Sequence, residues 1–391
     1  MSQKLLDHSP DLKRLQDDGF ELEIKGALAL VHHIPYVNSN KEIIYGTLVS
    51  ELTLAGDATI KPSTHVIHFI GDHPCDKHGQ RLMGISHQSI SRNLGENVII
   101  QHSFSNKPSN GYQDYYQKFV QYITVISSHA ISLNQAVTAQ TYFVPDIGDD
   151  TVFCYKDTNS GRAAIGGITD KLKSRKIGII GLGGTGSYVL DFVAKTPVEE
   201  IHLFDGDDFV QHNAFRAPGA PSIEELRIRK KKTDYYAEEY LKMHKHVIPH
   251  NEYLEDENLY KLESLDYVFI CIDKGSSKKR IIEFLMEKNI PFIDVGIGLQ
   301  VYEDTLLGQA RVTIGTPGSY EKALQSINFS DEEIDEAYHT NIQIAEINAL
   351  NACIAVIQWK KYCGFYQDVS HYLNIIYSIN DGELINETTK I

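Results

Sequence analysis

The segment Lys176–Arg216, KIGIIGLGGTGSYVLDFVAKTPVEEIHLFDGDDFVQHNAFR, decides how the rest of the chain is read. Its apolar run Ile177 to Ile180 has the character of a fully buried parallel strand and stops at Gly181-Leu182-Gly183-Gly184-Thr185-Gly186. A helix is predicted from Ser187 to Lys195, because Pro197 cannot continue it. Glycines at 181, 183 and 186 suit a tight strand-to-helix turn, in which backbone N–H groups and a helix N-terminus meet phosphates without side-chain obstruction. A second strand, Glu200 to Phe204, ends in Asp205, 24 residues after Gly181, the usual place for an acid that binds a ribose hydroxyl. A nicotinamide dehydrogenase reads the same to this point. The tail DGDDFVQHNAFR separates the two, with Asp205, Asp207, Asn213 and Arg216 in close succession. A nicotinamide site has no need of an Asn and an Arg just beyond the second strand. A site that holds a triphosphate and stabilises negative charge at its α-phosphorus does.

The combined pattern, GxGGxGS, then D-x-D, five residues, then N-x-x-R, resembles the adenylyltransferases that activate ubiquitin and ubiquitin-like proteins, including the ThiF and MoeB proteins of sulfur-carrier activation. The resemblance extends through about Thr316. It implies an α/β fold with a Rossmann-like, mostly parallel sheet of the ubiquitin-activating enzyme type, preceded here by an α+β N-terminal domain. ATP and Mg²⁺ are the cofactors implied. Gly181, Gly183, Gly184 and Gly186 would lie close to the phosphates and Asp205 and Asp207 would bind ribose. Asn213 would orient the reacting phosphate, and Arg216 and Lys232 would hold the triphosphate. In the Arg229-Lys230-Lys231-Lys232 run, Lys232 fits the family's lysine best, with Asp234, Ala237 and Glu238 after it, and Lys230 is the substitute. An arginine ahead of the first strand reaches the phosphates in the family, often in the partner subunit's site; Arg162 is the candidate, with Arg175 the other option. The strand Tyr267 to Ile272 ends at Asp273, and a carboxylate at that crevice suits Mg²⁺ held through water and phosphate oxygens. The family usually has Asn next; this chain has Lys274.

At 391 residues the chain is long enough for two or three domains. A net charge of -15 argues against a nucleic-acid surface. The N-terminus has no signal-peptide core and no apolar stretch reaches a membrane span, so a cytoplasmic protein with neither nucleic acid nor membrane as partner is expected. Five scattered cysteines form no C-x-x-C pair, so the paired motifs that hold a structural zinc in many ThiF-like proteins are not matched.

Three divisions are expected: residues 1–145, an α+β domain that recruits a partner or acceptor; a polar connector, 146–160; and a ThiF-like adenylation domain, 161–391. The first contains His65, His68, His73, Cys75 and His78, whose spacing fits no tetrahedral metal site. Cys75 reads as a small residue in a turn ahead of a nucleophile. The segment resembles the N-terminal domain of unassigned role found fused to ThiF-like domains in bacteria. Downstream, a helix is expected from Ser222 to about His244, another beginning near Asp331, and a third from Asn341 to Tyr362 whose broad apolar face suits a homodimer.

Many members of the resembled family carry a catalytic cysteine in the crossover region that follows Gly315. This chain has none between Cys271 and Cys353. The function implied is ATP-dependent adenylation of the C-terminal glycine of a ubiquitin-like protein, the first step of a bacterial conjugation pathway. The acyl-adenylate would pass to a conjugating-enzyme-like protein, to Cys75 or to a non-thiol nucleophile; antiphage defence is among the roles such systems imply. Two alternatives stand beside it: an NAD-dependent oxidoreductase, and a catalytically silent scaffold that binds a ubiquitin-like protein.

Overall fold

The structure, a computed structural model, describes residues 5–6, 8–144, 151–163, 165–330 and 342–388, with the backbone alone at 161, 162 and 388. It divides into two compact units, Met1–Pro145 and Asp146–Ile391. Residues 145–150 of the expected connector region and the helix expected near Asp331 lie outside the described residues.

The first unit is a helix, α1 (Pro10–Asp17), and a six-stranded antiparallel sheet of β1 (Leu22–Lys25), β2 (Leu28–Val37), β3 (Ile43–Glu51), β4 (Val66–Ile70), β5 (Ser86–Asn93) and β6 (Ile99–Ser105). The strand order is β1-β2-β3-β4-β6-β5. A long helix, α2 (Tyr115–Leu133), crosses one face, started by Asp114, whose side chain accepts from the Gln117 N–H. Tyr115, Phe119, Tyr122 and Ile126 recur at helical spacing and are buried against Val31, Leu48, Phe69 and Phe104 of the sheet. The edge strand β5, SHQSISRN, is exposed along nearly its whole length and has no apolar alternation to reveal it in the sequence.

Lys118 lies on the buried side of α2 without a carboxylate partner among the described residues. Its Nζ donates to Ser50 Oγ at 2.9 Å, and burial pushes the ammonium down to about 8. The unfolded chain takes up this proton below about 10.5 and the folded chain only below about 8, so stability rises with pH across that window. Lys118→Met is therefore expected to stabilise this unit by about 1–3 kcal/mol at pH 7. The gain should shrink as pH rises from 8 towards 10.5, which hydrogen exchange of α2 amides in the full chain would show.

The second unit contains β7 (Lys176–Ile180), α3 (Gly184–Val193), β8 (Glu200–Phe204), α4 (Lys232–Tyr240), β9 (Val247–His250), β10 (Tyr267–Ile270), α5 (Gly275–Glu287), β11 (Phe292–Tyr302), β12 (Thr305–Gly315), α6 (Ala345–Tyr362), β13 (Tyr372–Ser378) and β14 (Leu384–Thr388). They build one eight-stranded sheet in the order β9-β8-β7-β10-β11-β12-β13-β14. The first five strands in that order are parallel and the last three join antiparallel. The short apolar runs KIGII and YVFI are the buried centre, since both faces are covered. On one face α6 packs Ala352, Ala355, Val356 and Trp359 with Val189, Leu190 and Val193 of α3. On the other, α5 packs Ile281, Ile282 and Leu285 over Val268, Ile270 and Phe292. Chain order reverses between β7 and β10, which opens a crevice at their carboxyl ends.

The helix expected from Ser222 to His244 is two helices. Ser222 caps a short one, Ile223–Ile228, as the sequence indicates, but Arg229 turns left-handed (φ 54°) and ends it. The chain then pairs Asp208 with Lys231 in a bridge and restarts at Lys232. The break puts Lys232 in the first turn of α4, facing the crevice instead of the middle of a solvated helix. Among the described residues no helix is long and apolar enough to cross a membrane.

Candidate functional site

The crevice is floored by the turn between β7 and α3. Gly181 has φ +87°, and a Cβ there would stand 2.7 Å from the Cys271 carbonyl oxygen. At Gly186 a Cβ would stand 1.9 Å from the Gly181 carbonyl, so the turn closes on itself only with glycine. α3 starts within the glycine run, at Gly184 and not Ser187, which aims its first N–H groups into the crevice. From α6, Asn348 braces the turn: its Oδ1 accepts from Thr185 Oγ1 at 2.9 Å, and Gly184 leaves room for its amide. The sequence signals Asn348 only as a polar residue on an otherwise apolar helix face.

Asp205 and Asp207 divide their work. Asp205 is 7% exposed, and its two carboxylate oxygens accept from the backbone N–H groups of Leu182 (2.7 Å) and Asp207 (2.9 Å). It locks the glycine turn to the end of β8. Asp207 faces the crevice, with Oδ2 at 2.6 Å from Lys232 Nζ and Oδ1 accepting from the Tyr253 hydroxyl. Burial raises its carboxyl, but the hydrogen bonds from Lys232 and Tyr253 and the charges of Lys232 and Lys231 outweigh burial and hold it below its usual range. The same bond pushes the Tyr253 phenol up to about 12. Lys232 also lies 3.4 Å from Asp205 Oδ2, and it is buried. Lys230, the substitute in the sequence, is paired with Glu238, and Lys231 donates to the Gly206 carbonyl at 2.8 Å.

Asn213 closes the helical turn Gln211–Ala214 by accepting the Val210 N–H at 2.9 Å, which leaves its buried Nδ2 without a partner among the described residues. Arg216 follows, its side chain in the crevice wall and its buried Nε likewise unpartnered. At Arg216, which lines the crevice, that unpaired donor carries a desolvation cost that a bound anion would offset; Asn213 is not among the residues lining the cavity. Asp273 is exposed at the mouth of the same crevice, three residues past β10. The Arg162 side chain lies outside the described residues.

These groups surround a cavity of about 440 Å³, lined by Gly181, Gly183, Asp207, Arg216, Lys232 and Asp273 among others. A second cavity of about 420 Å³ shares Gly181, Asp205, Asp207 and Asp273 with it and is walled by Phe204, Leu254, Ile272 and Ile281. The second cavity has a mixed lining, with Glu252, Glu255, Lys274 and Arg280 beside its apolar residues, and the two cavities meet at Gly181, Asp205, Asp207, Ile272 and Asp273. Sequence reasoning missed Tyr253, Lys278, Asp294 and Arg311, of which Lys278 and Arg311 also line the first, charged cavity.

Of the cysteines and histidines of the sequence reading, Cys271 lines the charged cavity and the others do not. Cys75 is 1% exposed, donates to the His73 carbonyl at 3.3 Å, and its thiol is raised by burial, none of which suits a nucleophile. Burial also raises Cys271, Cys353 and Cys363, the last to about 11. His65 pairs with Ser105 and His73 with the Pro74 carbonyl and Ser86. Among the described residues no three His, Cys, Asp or Glu side chains converge on a metal-sized site.

Comparison with known proteins agrees with this geometry. Residues 10–158 match a domain of unknown function (DUF6791), and residues 157–372 match the ThiF family. The tRNA threonylcarbamoyladenosine dehydratase of Haemophilus influenzae is 28% identical over 130 residues, 32% of this chain and 49% of that protein. The chain thus spans about half the length of that curated relative. Among solved structures, Escherichia coli MccB with succinimide is 21% identical at a TM-score of 0.43, over 56% of this chain and 66% of that one. Its complex with ATP gives a TM-score of 0.42 at 21% identity, over 56% and 65% of the two chains. Selenomethionine PaaA gives 0.46 at 17% identity, over 70% and 92%. With the family match spanning more than half of its residues and the glycine turn, the D-x-D pair and Arg216 of N-x-x-R lining one crevice, the chain belongs to the ThiF family of adenylyltransferase-type nucleotide-binding proteins.

Proposed function

We propose that the chain adenylates the C-terminal glycine carboxylate of a ubiquitin-like protein at the expense of ATP. The observation that carries this reading is the buried Arg216 Nε, without a partner among the described residues, on a side chain that lines a cavity also presenting the glycine turn, Asp207 and Lys232. A carboxylate is already ionised at neutral pH, so no general base is needed. One of its oxygens attacks the α-phosphorus, the bond from that phosphorus to the bridging oxygen breaks, and pyrophosphate leaves with both electrons of that bond. The protein supplies position and charge. The α3 N-terminus and the glycine N–H groups receive the phosphates, Asp207 takes the ribose hydroxyls, and Asn213 turns its amide to the reacting phosphate. Arg216 and Lys232 offset the charge that grows on the leaving group, and Lys232 exchanges part of its pairing with Asp207 for phosphate.

A single carboxylate at the crevice mouth, Asp273, fits Mg²⁺ that is otherwise held by water and phosphate oxygens. The ion would neutralise charge on the departing pyrophosphate. Arg162 is proposed to reach the phosphates, in the same or a second copy. The half-exposed Ile347, Leu350 and Ile354 and the exposed Ile357 of α6 are the face on which that second copy would pack. With Cys75 and Cys271 both unsuited as nucleophiles, the activated carboxylate is proposed to leave for a separate acceptor, a conjugating-enzyme-like protein recruited by the first unit.

Thermal unfolding tests the nucleotide choice. Mg-ATP at a hundred times its Kd is expected to stabilise the second unit by about 2.7 kcal/mol, with no protection by NAD. Protection by NAD and none by ATP would remove the adenylation reading.

A further inference from the structure

On β11 and β12, beyond β10 from the strand that carries the glycine turn, lies a set of buried charges to which the nucleotide reading assigns no role. Asp294 of β11 is 0% exposed, and two cations flank it. Lys278 Nζ, from the first turn of α5, is 2.9 Å from Asp294 Oδ1, and Arg311 Nη2, from β12, is 2.5 Å from Asp294 Oδ2. Lys278 and Arg311 line the charged cavity. The set is braced across the sheet. Asp294, Thr313, Asn374 and Glu387 are direct partners in register on β11, β12, β13 and β14. Arg311 donates to Thr313 Oγ1, Thr313 donates to Asn374 Oδ1 at 2.8 Å, and Asn374 donates to Glu387 at 3.1 Å. Gly296 keeps the guanidinium uncovered, since a Cβ there would stand 3.0 Å from Arg311 Nη2.

Two cations on one carboxylate leave one positive charge in excess, and the Lys278 side chain is only 6% exposed. Buried charge of this kind is a poor source of stability, because an apolar cluster of the same volume is as stable or more so. Its cost is recovered when an anion arrives. The proposed function already assigns Arg216, Lys232 and the glycine turn to the triphosphate, so the remaining anion of the reaction is the attacking carboxylate.

We propose that Lys278 and Arg311, held by Asp294, are positioning residues that seat the substrate carboxylate against the α-phosphorus. The carboxylate oxygen that does not attack rests on the two cations, which turns the other towards phosphorus and offsets its repulsion by the phosphates. The substrate class this defines is a chain that ends in a free carboxylate; an amide terminus would not be seated. The inference rests on the adenylation reading.

The test is equilibrium binding of two ligands to the full-length chain. One is AMPCPP with Mg²⁺, and the other is 5′-O-(N-glycylsulfamoyl)adenosine, an adenylate analogue whose acyl carbonyl oxygen occupies the place of the seated oxygen. Lys278→Met is expected to weaken the acyl analogue about 10- to 100-fold, the range for a hydrogen bond to a charged group. AMPCPP should change by no more than about twofold, as for independent sites. Lys278→Arg should restore most of the loss, which a purely structural role would not produce. Lys278→Met leaves Asp294 paired with Arg311, and Arg311→Gln provides the same comparison if the first variant fails to fold. Equal losses for both ligands, or no loss for either, would overturn the carboxylate seat alone. Absence of AMPCPP binding by the wild type would overturn the adenylation reading and the seat with it.

Discussion

Replacing Arg216 with alanine is expected to slow ATP–pyrophosphate exchange by about a hundredfold or more, the usual consequence of deleting one preorganised donor at developing charge. The same variant should unfold at close to the wild-type temperature. Arg216 makes its structural contacts through the backbone, its N–H donating to the Asn213 carbonyl and its carbonyl accepting from Asn348, and both survive truncation. The side chain contributes a buried Nε without a partner among the described residues, so its removal strands no group among them. Exchange rate and melting temperature should therefore separate. A variant that lost both in parallel would show Arg216 to be a structural residue, and one that lost neither would place the phosphates elsewhere.

Gly186→Ala has the larger structural effect. The added methyl would meet the Gly181 carbonyl oxygen at 1.9 Å, backbone against backbone, with no flexible side chain to give way. Gly181 cannot retreat, because its N–H donates to the Phe204 carbonyl and the next N–H donates to Asp205. The turn must open, at about 1–3 kcal/mol of overpacking, and with it goes the alignment of the α3 N–H groups. Mg-ATP binding should fall below detection. Gly183→Ala is the control, since around a Cβ there only Gln343 Oε1 comes as near as 4.0 Å. It should fold like the wild type and lose nucleotide affinity, because its methyl projects into the space the phosphates need. Equal Mg-ATP affinity in both variants and the wild type would show that the glycine turn does not cradle phosphate.

What the sequence made legible was what lies close together along it. Gly181, Asp207 and Arg216 fall within one short segment whose pattern carries the family resemblance, and all three line the one cavity; Asn213, in the same segment, does not. The division of labour between Asp205 and Asp207 was not legible, because it depends on which carboxylate meets the Leu182 N–H. Lys232 was chosen over Lys230 on pattern, but its orientation comes from the left-handed Arg229, which no helical periodicity announces. Lys278, Asp294, Arg311 and Asn348 come from four separate elements, α5, β11, β12 and α6, and only sheet register and helix packing bring them to the cavity. In the first unit, β5 is not legible because an exposed edge strand buries no face, whereas the aromatics Tyr115, Phe119 and Tyr122 recur in α2 at helical spacing. Of the histidines near Cys75, whose spacing fits no tetrahedral metal site, His65 and His73 pair with serine and backbone groups.

The most direct measurement is incorporation of labelled pyrophosphate into ATP by the full-length chain with Mg²⁺, in the presence of ubiquitin-like proteins encoded next to its gene. Each carrier is compared with a form that lacks its final glycine. Adenylation predicts label in ATP with one intact carrier and none with its truncated form. Bound ATP with no exchange for any intact carrier, or exchange indifferent to the terminal glycine, would contradict it.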